Sequence, residues 1–189
     1  TANASNAFAA GVDSIAQGAN AMAIGTKSHA VDDGAIAFGV DSQALGNNTA
    51  SFGSNSTANG NDAIAFGHNA NANAAESIAF GANASAQADS AIAMGFNSLA
   101  TQNSATAVGR FAKATANQTI AIGFNANADA NQGIAIGDQA LANDTYTIAI
   151  GSNSDASGDR SIAIGFNAKA TGINAAAVMV GSQACGVNS

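Results

Sequence analysis

Few side chains in this sequence are of the types that perform acid–base, nucleophilic or metal chemistry. The 189 residues include two histidines, one cysteine and 12 aspartates and glutamates in total. Catalysis needs such groups within hydrogen-bond distance of one another, and a metal site needs several ligands around one point. The first question is therefore which elements position these side chains, and whether they bring any of them together.

The elements that position them come from a repeat. A glycine marks each copy, and the spacing between marker glycines is 14 residues eleven times and then 16. The markers are Gly11, Gly25, Gly39, Gly53, Gly67, Gly81, Gly95, Gly109, Gly123, Gly137, Gly151, Gly165 and Gly181. So short and strict a period predicts a solenoid in which each copy stacks on the previous one. We expect one domain over residues 1–189, with about thirteen coils.

Each copy contains two short segments that alternate in side-chain size. Large apolar residues stand three places and one place before the glycine, with alanine between them in most copies, as in Ile148, Ala149 and Ile150. Alternation with a period of two predicts a β-strand, and we expect its large side chains to point inward. After the glycine, small residues occupy the third and fifth places, while the fourth varies from His29 to Leu141 and is expected to face water.

Polar residues fill the rest of the period and predict turns. The chain is therefore expected to be all-β, a parallel β-roll in which each residue pairs with its counterpart in the next coil. The small side chains of the first strand would then face outward as an uncharged band. We predict that copies of the chain pack against this band, and that the interface includes Ala121, Ala135, Ala149 and Ala163.

This register separates most of the candidate catalytic groups. His29 and His68 lie at different places of the period and nearly three coils apart. Asp62 and Glu76 are same-register carboxylates on adjacent coils, and we interpret them as solvated turn residues. The sequence therefore predicts no enzyme, no cofactor and no metal site.

One group of residues has two interpretations. Phe96, Arg110 and Phe124 each follow the marker glycine in three successive copies, so a guanidinium would lie between two rings. The group is either a structural stack or an exposed patch that contacts a ligand.

Charge and hydropathy argue against a nucleic-acid-binding protein and against a membrane-inserted segment. The net charge is −7 with only five lysines and arginines, which argues against a nucleic-acid surface. No apolar run approaches the length of about 18 residues that a membrane helix needs, so we expect no insertion of this segment into a membrane.

The repeat resembles the head domains of trimeric autotransporter adhesins of Gram-negative bacteria, the YadA-like heads. The motifs "SIAIGFNAKA" (161–170) and "SIAFGANASA" (77–86) carry this resemblance, which extends over essentially the whole chain. It implies a left-handed β-roll, a homotrimer, and display at the cell surface on a stalk anchored in the outer membrane. Implied partners are host extracellular matrix proteins, host cells or abiotic surfaces, bound without catalysis.

Three other functions are known for β-solenoids. A passive spacer within a long surface fibre remains the alternative. An ice-binding solenoid needs a flat face of repeated threonine, which the variable fourth place does not provide. A polysaccharide-cleaving β-helix needs a cluster of carboxylates, which the register of the acidic residues does not provide.

Overall fold

The computed structural model describes residues 1–189, which form strands and turns. The chain divides into two compact units, unit 1 from Thr1 to Asn97 and unit 2 from Ser98 to Ser189. Each coil has a three-residue strand before the glycine position and a two-residue strand after it. We call these the pre-glycine and the post-glycine strand.

The strands of unit 1 alternate between the two kinds along the chain. They are β1 (Phe8–Ala10), β2 (Ile15–Ala16), β3 (Met22–Ile24), β4 (His29–Ala30), β5 (Ile36–Phe38), β6 (Gln43–Ala44), β7 (Ala50–Phe52), β8 (Thr57–Ala58), β9 (Ile64–Phe66), β10 (Asn71–Ala72), β11 (Ile78–Phe80), β12 (Ser85–Ala86) and β13 (Ile92–Met94). The odd-numbered strands are the pre-glycine strands.

Unit 2 follows the same pattern. Its strands are β14 (Leu99–Ala100), β15 (Thr106–Val108), β16 (Lys113–Ala114), β17 (Ile120–Ile122), β18 (Asn127–Ala128), β19 (Ile134–Ile136), β20 (Leu141–Ala142), β21 (Ile148–Ile150), β22 (Asp155–Ala156), β23 (Ile162–Ile164), β24 (Lys169–Ala170), β25 (Ala176–Val178) and β26 (Gln183–Ala184). The chain is thus an all-β parallel solenoid with about thirteen coils of about 14 residues.

In each unit, strands of one kind pair in parallel with their counterparts in the neighbouring coils. In unit 1, Ala9 lies opposite Ala23, and in unit 2, Ala121 lies opposite Ala135. Every residue therefore has the same-register residue of the next coil as its neighbour, as the 14-residue period predicted.

The corners of the coils explain the polar residues and the glycine. Besides the glycine, two residues per coil have positive φ, for example Asn55 (57°) and Asp62 (58°), and asparagine and aspartate tolerate this conformation better than most residues. The glycine position is more restrictive. Gly137 has a φ of 139°, and a Cβ atom there would lie 2.5 Å from the carbonyl oxygen of Gly151 in the next coil. At Gly137, where another coil follows, only glycine fits without displacing backbone.

The prediction that the large side chains of the pre-glycine strands form the core is wrong. The core of the roll consists of alanine with some serine and threonine, contributed by both kinds of strand and the residues beside them. Ala121, Ala135, Ala149 and Ala163 are all 0% exposed within a single chain. They line the interior of unit 2 and do not form an outward band.

The large side chains point away from this core. Ile122 and Ile150 remain 38% and 37% exposed, and Phe66 in unit 1 remains 46% exposed. The physical reason is the close approach of the two sheets, which leaves room for a methyl or hydroxymethyl group but not for isoleucine. A period of two is compatible with either assignment of faces, since shifting the phase by one residue exchanges inside and outside.

The last repeat keeps the 14-residue register, contrary to the spacing of 16 in the sequence. Ile162 pairs with Ala176 and Ile164 with Val178, so Met179 occupies the glycine position, with a φ of 143°. Gly181, with a φ of 67°, lies two places further on, where the other coils also have positive φ. The parallel ladder determines this register, because an insertion of two residues would interrupt its hydrogen bonds.

Candidate functional site

The acidic residues singled out from the sequence belong to the turns. Asp62 accepts a hydrogen bond from Asn48 Nδ2 at 3.4 Å, and Glu76 accepts one from the Ser90 hydroxyl at 3.1 Å. Each partner comes from the same register of a neighbouring coil. No group of three or more histidine, cysteine, aspartate or glutamate side chains is arranged to hold a metal ion.

Many amide side chains of the turns also form hydrogen bonds with the same register of a neighbouring coil. Asn69 Nδ2 donates to Asn83 Oδ1 at 3.2 Å, and Gln132 Nε2 donates to Gln118 Oε1 at 3.0 Å. These hydrogen bonds join one coil to the next along a column. The polar corners therefore support the stack. The other candidate functional surfaces consist of the outward side chains of the strands.

The pre-glycine strands present a large apolar surface, which we call the apolar face. It comprises the outward side chains at the first and third position of each of these strands. In unit 1 the large ones are Phe8, Met22, Ile24, Ile36, Phe38, Phe52, Ile64, Phe66, Ile78, Phe80, Ile92 and Met94, and in unit 2 they are Val108, Ile120, Ile122, Ile134, Ile136, Ile148, Ile150, Ile162, Ile164 and Val178. All of them are half-buried or exposed.

Phenylalanine dominates one column of the apolar face in unit 1. The rings of Phe66 and Phe80 stack with centroids 4.8 Å apart and an angle of 8° between their planes. Phe52 continues the column, with its centroid 5.9 Å from that of Phe66. The corresponding column of unit 2 contains mainly isoleucine, so the two units differ in the shape of this face.

The post-glycine strands present a different surface on the opposite side of the roll, which we call the variable face. Each strand contributes one outward side chain, such as Thr57, Lys113 or Asp155. The sequence predicted that the fourth residue after the glycine faces water and the fifth faces the core. This prediction is confirmed, because the alanine at the second position of each post-glycine strand is buried. Lys169 and Asp155 form an ion pair on this face, with 3.1 Å between Nζ and Oδ2.

Of the three candidate ligand contacts, the structure brings Arg110 and Phe124 together in unit 2. The guanidinium carbon of Arg110 lies 5.7 Å from the ring centroid of Phe124 and 4.7 Å from that of Phe111. The two rings meet edge to face, with centroids 6.1 Å apart. We call Arg110, Phe111 and Phe124 the aromatic cluster. Phe96, which belongs to unit 1, is 43% exposed.

Sequence reasoning missed Phe111 as a member of this cluster. The signal was its place two residues after the marker glycine, where the other copies have asparagine, aspartate, lysine or glutamine. A shallow groove of about 360 Å³ lies in the same unit and was missed as well. We call it the amide groove, and it is lined by Lys113, Asn125, Asn127, Gln139, Ala140 and Leu141.

The repeat itself matches a known family. The model of the YadA head domain repeat, which spans two copies, matches residues 2–28, 16–42, 30–56, 44–70, 58–84, 72–98, 86–112, 100–126, 114–140, 128–154 and 156–178. These matches extend over nearly the whole chain. The chain belongs to the YadA head repeat family.

A solved structure agrees with this assignment. The chain is similar to the crystal structure of the collagen-binding domain of the Yersinia adhesin YadA, at 31% sequence identity and a TM-score of 0.53. The similarity covers 81% of this chain and 70% of the YadA domain. A comparison with curated protein sequences finds no match. YadA-like heads are adhesin domains, so the family supports an adhesin-type head.

The structure has no apolar helix of the length that crossing a bilayer requires. Cys185 is exposed and lies just after strand β26.

Proposed function

We propose that this chain is the adhesive head of a trimeric autotransporter, displayed at the bacterial cell surface, and that it binds its targets without catalysis. The observation that carries the proposal is the apolar face. A row of isoleucine and phenylalanine side chains extends through the pre-glycine strands of each unit, and many of these side chains are 37–50% exposed. A stable monomer rarely exposes so long an apolar surface to water.

Copies of the same chain are the partners that fit this face. Each coil presents side chains of the same kind at the same place, so a second copy in the same orientation offers a matching surface along its length. Closed rotational symmetry would bury the faces of all copies around one axis. A left-handed roll and three copies are what the family resemblance implies. The self-association surface is therefore reassigned from the buried alanines to the apolar face.

Extracellular matrix proteins are the proposed targets, with host cells or abiotic surfaces as further ones. The similar YadA domain binds collagen, and this chain shares its repeat along most of its length. An elongated ladder suits many weak contacts better than one deep pocket. Presenting every contact three times would raise the avidity by roughly 10²–10⁴ over that of a single site.

The test compares the protein with a variant that cannot associate. Ile134→Lys combined with Ile148→Lys places two charges on the apolar face, while the matched change Gln43→Lys adds a charge to the variable face. We expect sedimentation to give trimers for the wild type and for Gln43→Lys, but folded monomers for the double variant. On surfaces coated with collagen or other matrix proteins, the double variant should wash off and the other two proteins should stay.

Each part of the proposal can fail separately. A double variant that still forms trimers would exclude the apolar face as the interface. Equal retention of monomer and trimer would remove the multivalent mechanism. A wild-type protein that is retained on no surface would favour the role of a passive spacer. If the double variant does not fold, the milder change Ile148→Ser replaces it.

A further inference from the structure

One stretch of unit 2 keeps the backbone conformation of the repeat but departs from it in chemistry. Phe111 has a φ of 61°, and it is the only aromatic residue two places after a glycine position. A bulky side chain in this left-handed conformation costs roughly 1 kcal/mol or more, and such strain is found preferentially at functional sites. Asparagine at the equivalent place of the next coil, Asn125, avoids this cost.

Two positively charged side chains lie in the same stretch. Arg110 and Lys113 are two of only five lysines and arginines, and they flank Phe111 within four residues. Arg160 and Lys169 form ion pairs with Asp159 and Asp155. Lys113 forms no ion pair of this kind, and its exposed side chain lines the amide groove.

The amide groove continues from the aromatic cluster, because Asn125 directly follows Phe124 and lines the groove. Two carboxylates lie nearby, and both accept hydrogen bonds from groove amides. Asn127 Nδ2 donates to Asp129 Oδ2 at 3.1 Å, and Gln139 Nε2 donates to Asp138 Oδ1 at 3.4 Å. These contacts orient the two amides.

We propose that the aromatic cluster and the amide groove together bind an acidic sugar residue of a glycan. The carbon–hydrogen face of a sugar ring packs against aromatic rings, here those of Phe111 and Phe124. Planar amides such as those of Asn125 and Gln139 donate to and accept from the sugar hydroxyls. The ammonium of Lys113 and the guanidinium of Arg110 pair with a carboxylate or sulfate group of the same ligand.

The amide groove stays open if copies of the chain associate as proposed. Lys113, Asn127 and Leu141 are outward residues of post-glycine strands, on the side of the roll opposite the apolar face. The inference deepens the proposed adhesive function by naming a ligand class. It concerns side chains of one chain, so it does not require a trimer.

The test is calorimetric titration of the whole protein with three probes, namely sialyllactose, a heparin-derived hexasaccharide and neutral lactose. We expect the acidic probes to bind at one site per chain and lactose to bind much more weakly. Comparing the first two probes shows whether a carboxylated or a sulfated sugar fits the site. Phe111→Asn and Lys113→Gln should each weaken binding of the acidic probe about tenfold, because each removes one direct contact.

The variants are chosen to preserve the fold. Phe111→Asn introduces the residue that the next coil has at this place, so its thermal midpoint should stay the same or rise. Lys169→Gln is the matched control, because Lys169 has the same register as Lys113 but is paired with Asp155. It should leave the affinity for the acidic probe within about twofold.

Three results would overturn the inference. These are no binding of either acidic probe, equal binding of lactose, and binding that Phe111→Asn and Lys113→Gln leave unchanged. The site is separable from the adhesion proposed above. Retention of these two variants on collagen would show that matrix binding uses another surface, and retention lost together with glycan binding would show that the groove binds protein as well.

Discussion

The two strands of a coil bury similar side chains but expose different ones. Before the glycine, Ala149 is fully buried and its neighbours Ile148 and Ile150 point outward. After it, Ala156 is fully buried and Asp155 points outward. Both strands thus contribute small groups to one thin core, and they differ only on the side that faces away from it.

This difference separates two kinds of constraint. The core side of both strands tolerates only small residues, because the sheets lie too close together for larger ones. The outer side of the post-glycine strands accepts lysine, leucine, asparagine or aspartate, as a surface in water does. The outer side of the pre-glycine strands is almost uniformly large and apolar, which indicates that a partner covers it.

The largest expected effect on stability comes from placing a charge on the buried side of a strand instead of its exposed side. Ala149→Lys places a charge in the core, and we expect it to destabilise the fold by about 5 kcal/mol or more, or to prevent folding. Leu141→Lys, on the variable face, should cost less than about 0.5 kcal/mol. Urea unfolding followed by circular dichroism measures both. Similar losses for the two variants would contradict the assignment of the faces.

The glycine that separates the two strands gives the next largest effect. In Gly137→Ala, the new Cβ atom would lie 2.5 Å from the Gly151 oxygen, at a φ of 139°. We expect a loss of about 3 kcal/mol from clash and backbone strain. Gly133→Ala is the control, because equivalent places in other coils hold Thr119 and Ser161. A Cβ atom at Gly133 would lie 3.0 Å from the Ala130 oxygen, which a small shift relieves, so this change should cost no more than about 1 kcal/mol.

Thermal unfolding of these two glycine variants checks the result. A Gly137→Ala protein as stable as Gly133→Ala would show that the coils can move apart to accept a methyl group.

The smallest effect concerns the outer sides of the two strands. Phe66→Ala removes ring contacts with Phe52 and Phe80, and we expect a loss of about 1–2 kcal/mol even in a monomer. Thr57→Ala on the variable face should change the stability by less than about 0.5 kcal/mol. Both values are measured by urea unfolding in the background of the monomeric double variant. Equal values would mean that the apolar face contributes to stability only through association.

Much of the fold can be predicted from the sequence. The marker glycines predicted the coils, alternation such as that of Ile148 to Ile150 predicted strands, and asparagines such as Asn55 predicted turns. The aromatic cluster was predicted only in part. Arg110 and Phe124 were recognised by their shared place in the period, whereas the ring contact of Phe111 with Phe124 depends on how the turn directs its side chain.

The sequence by itself determined the period, the strands and the family, because these follow from spacing along the chain. Only the tertiary structure decided which side of the pre-glycine strand faces inward, since both assignments satisfy an alternation of two. It also decided the register of the last repeat, where Met179 rather than Gly181 occupies the glycine position. In both cases the deciding factor is a distance between backbones, from sheet to sheet and from coil to coil, which spacing along one chain does not contain.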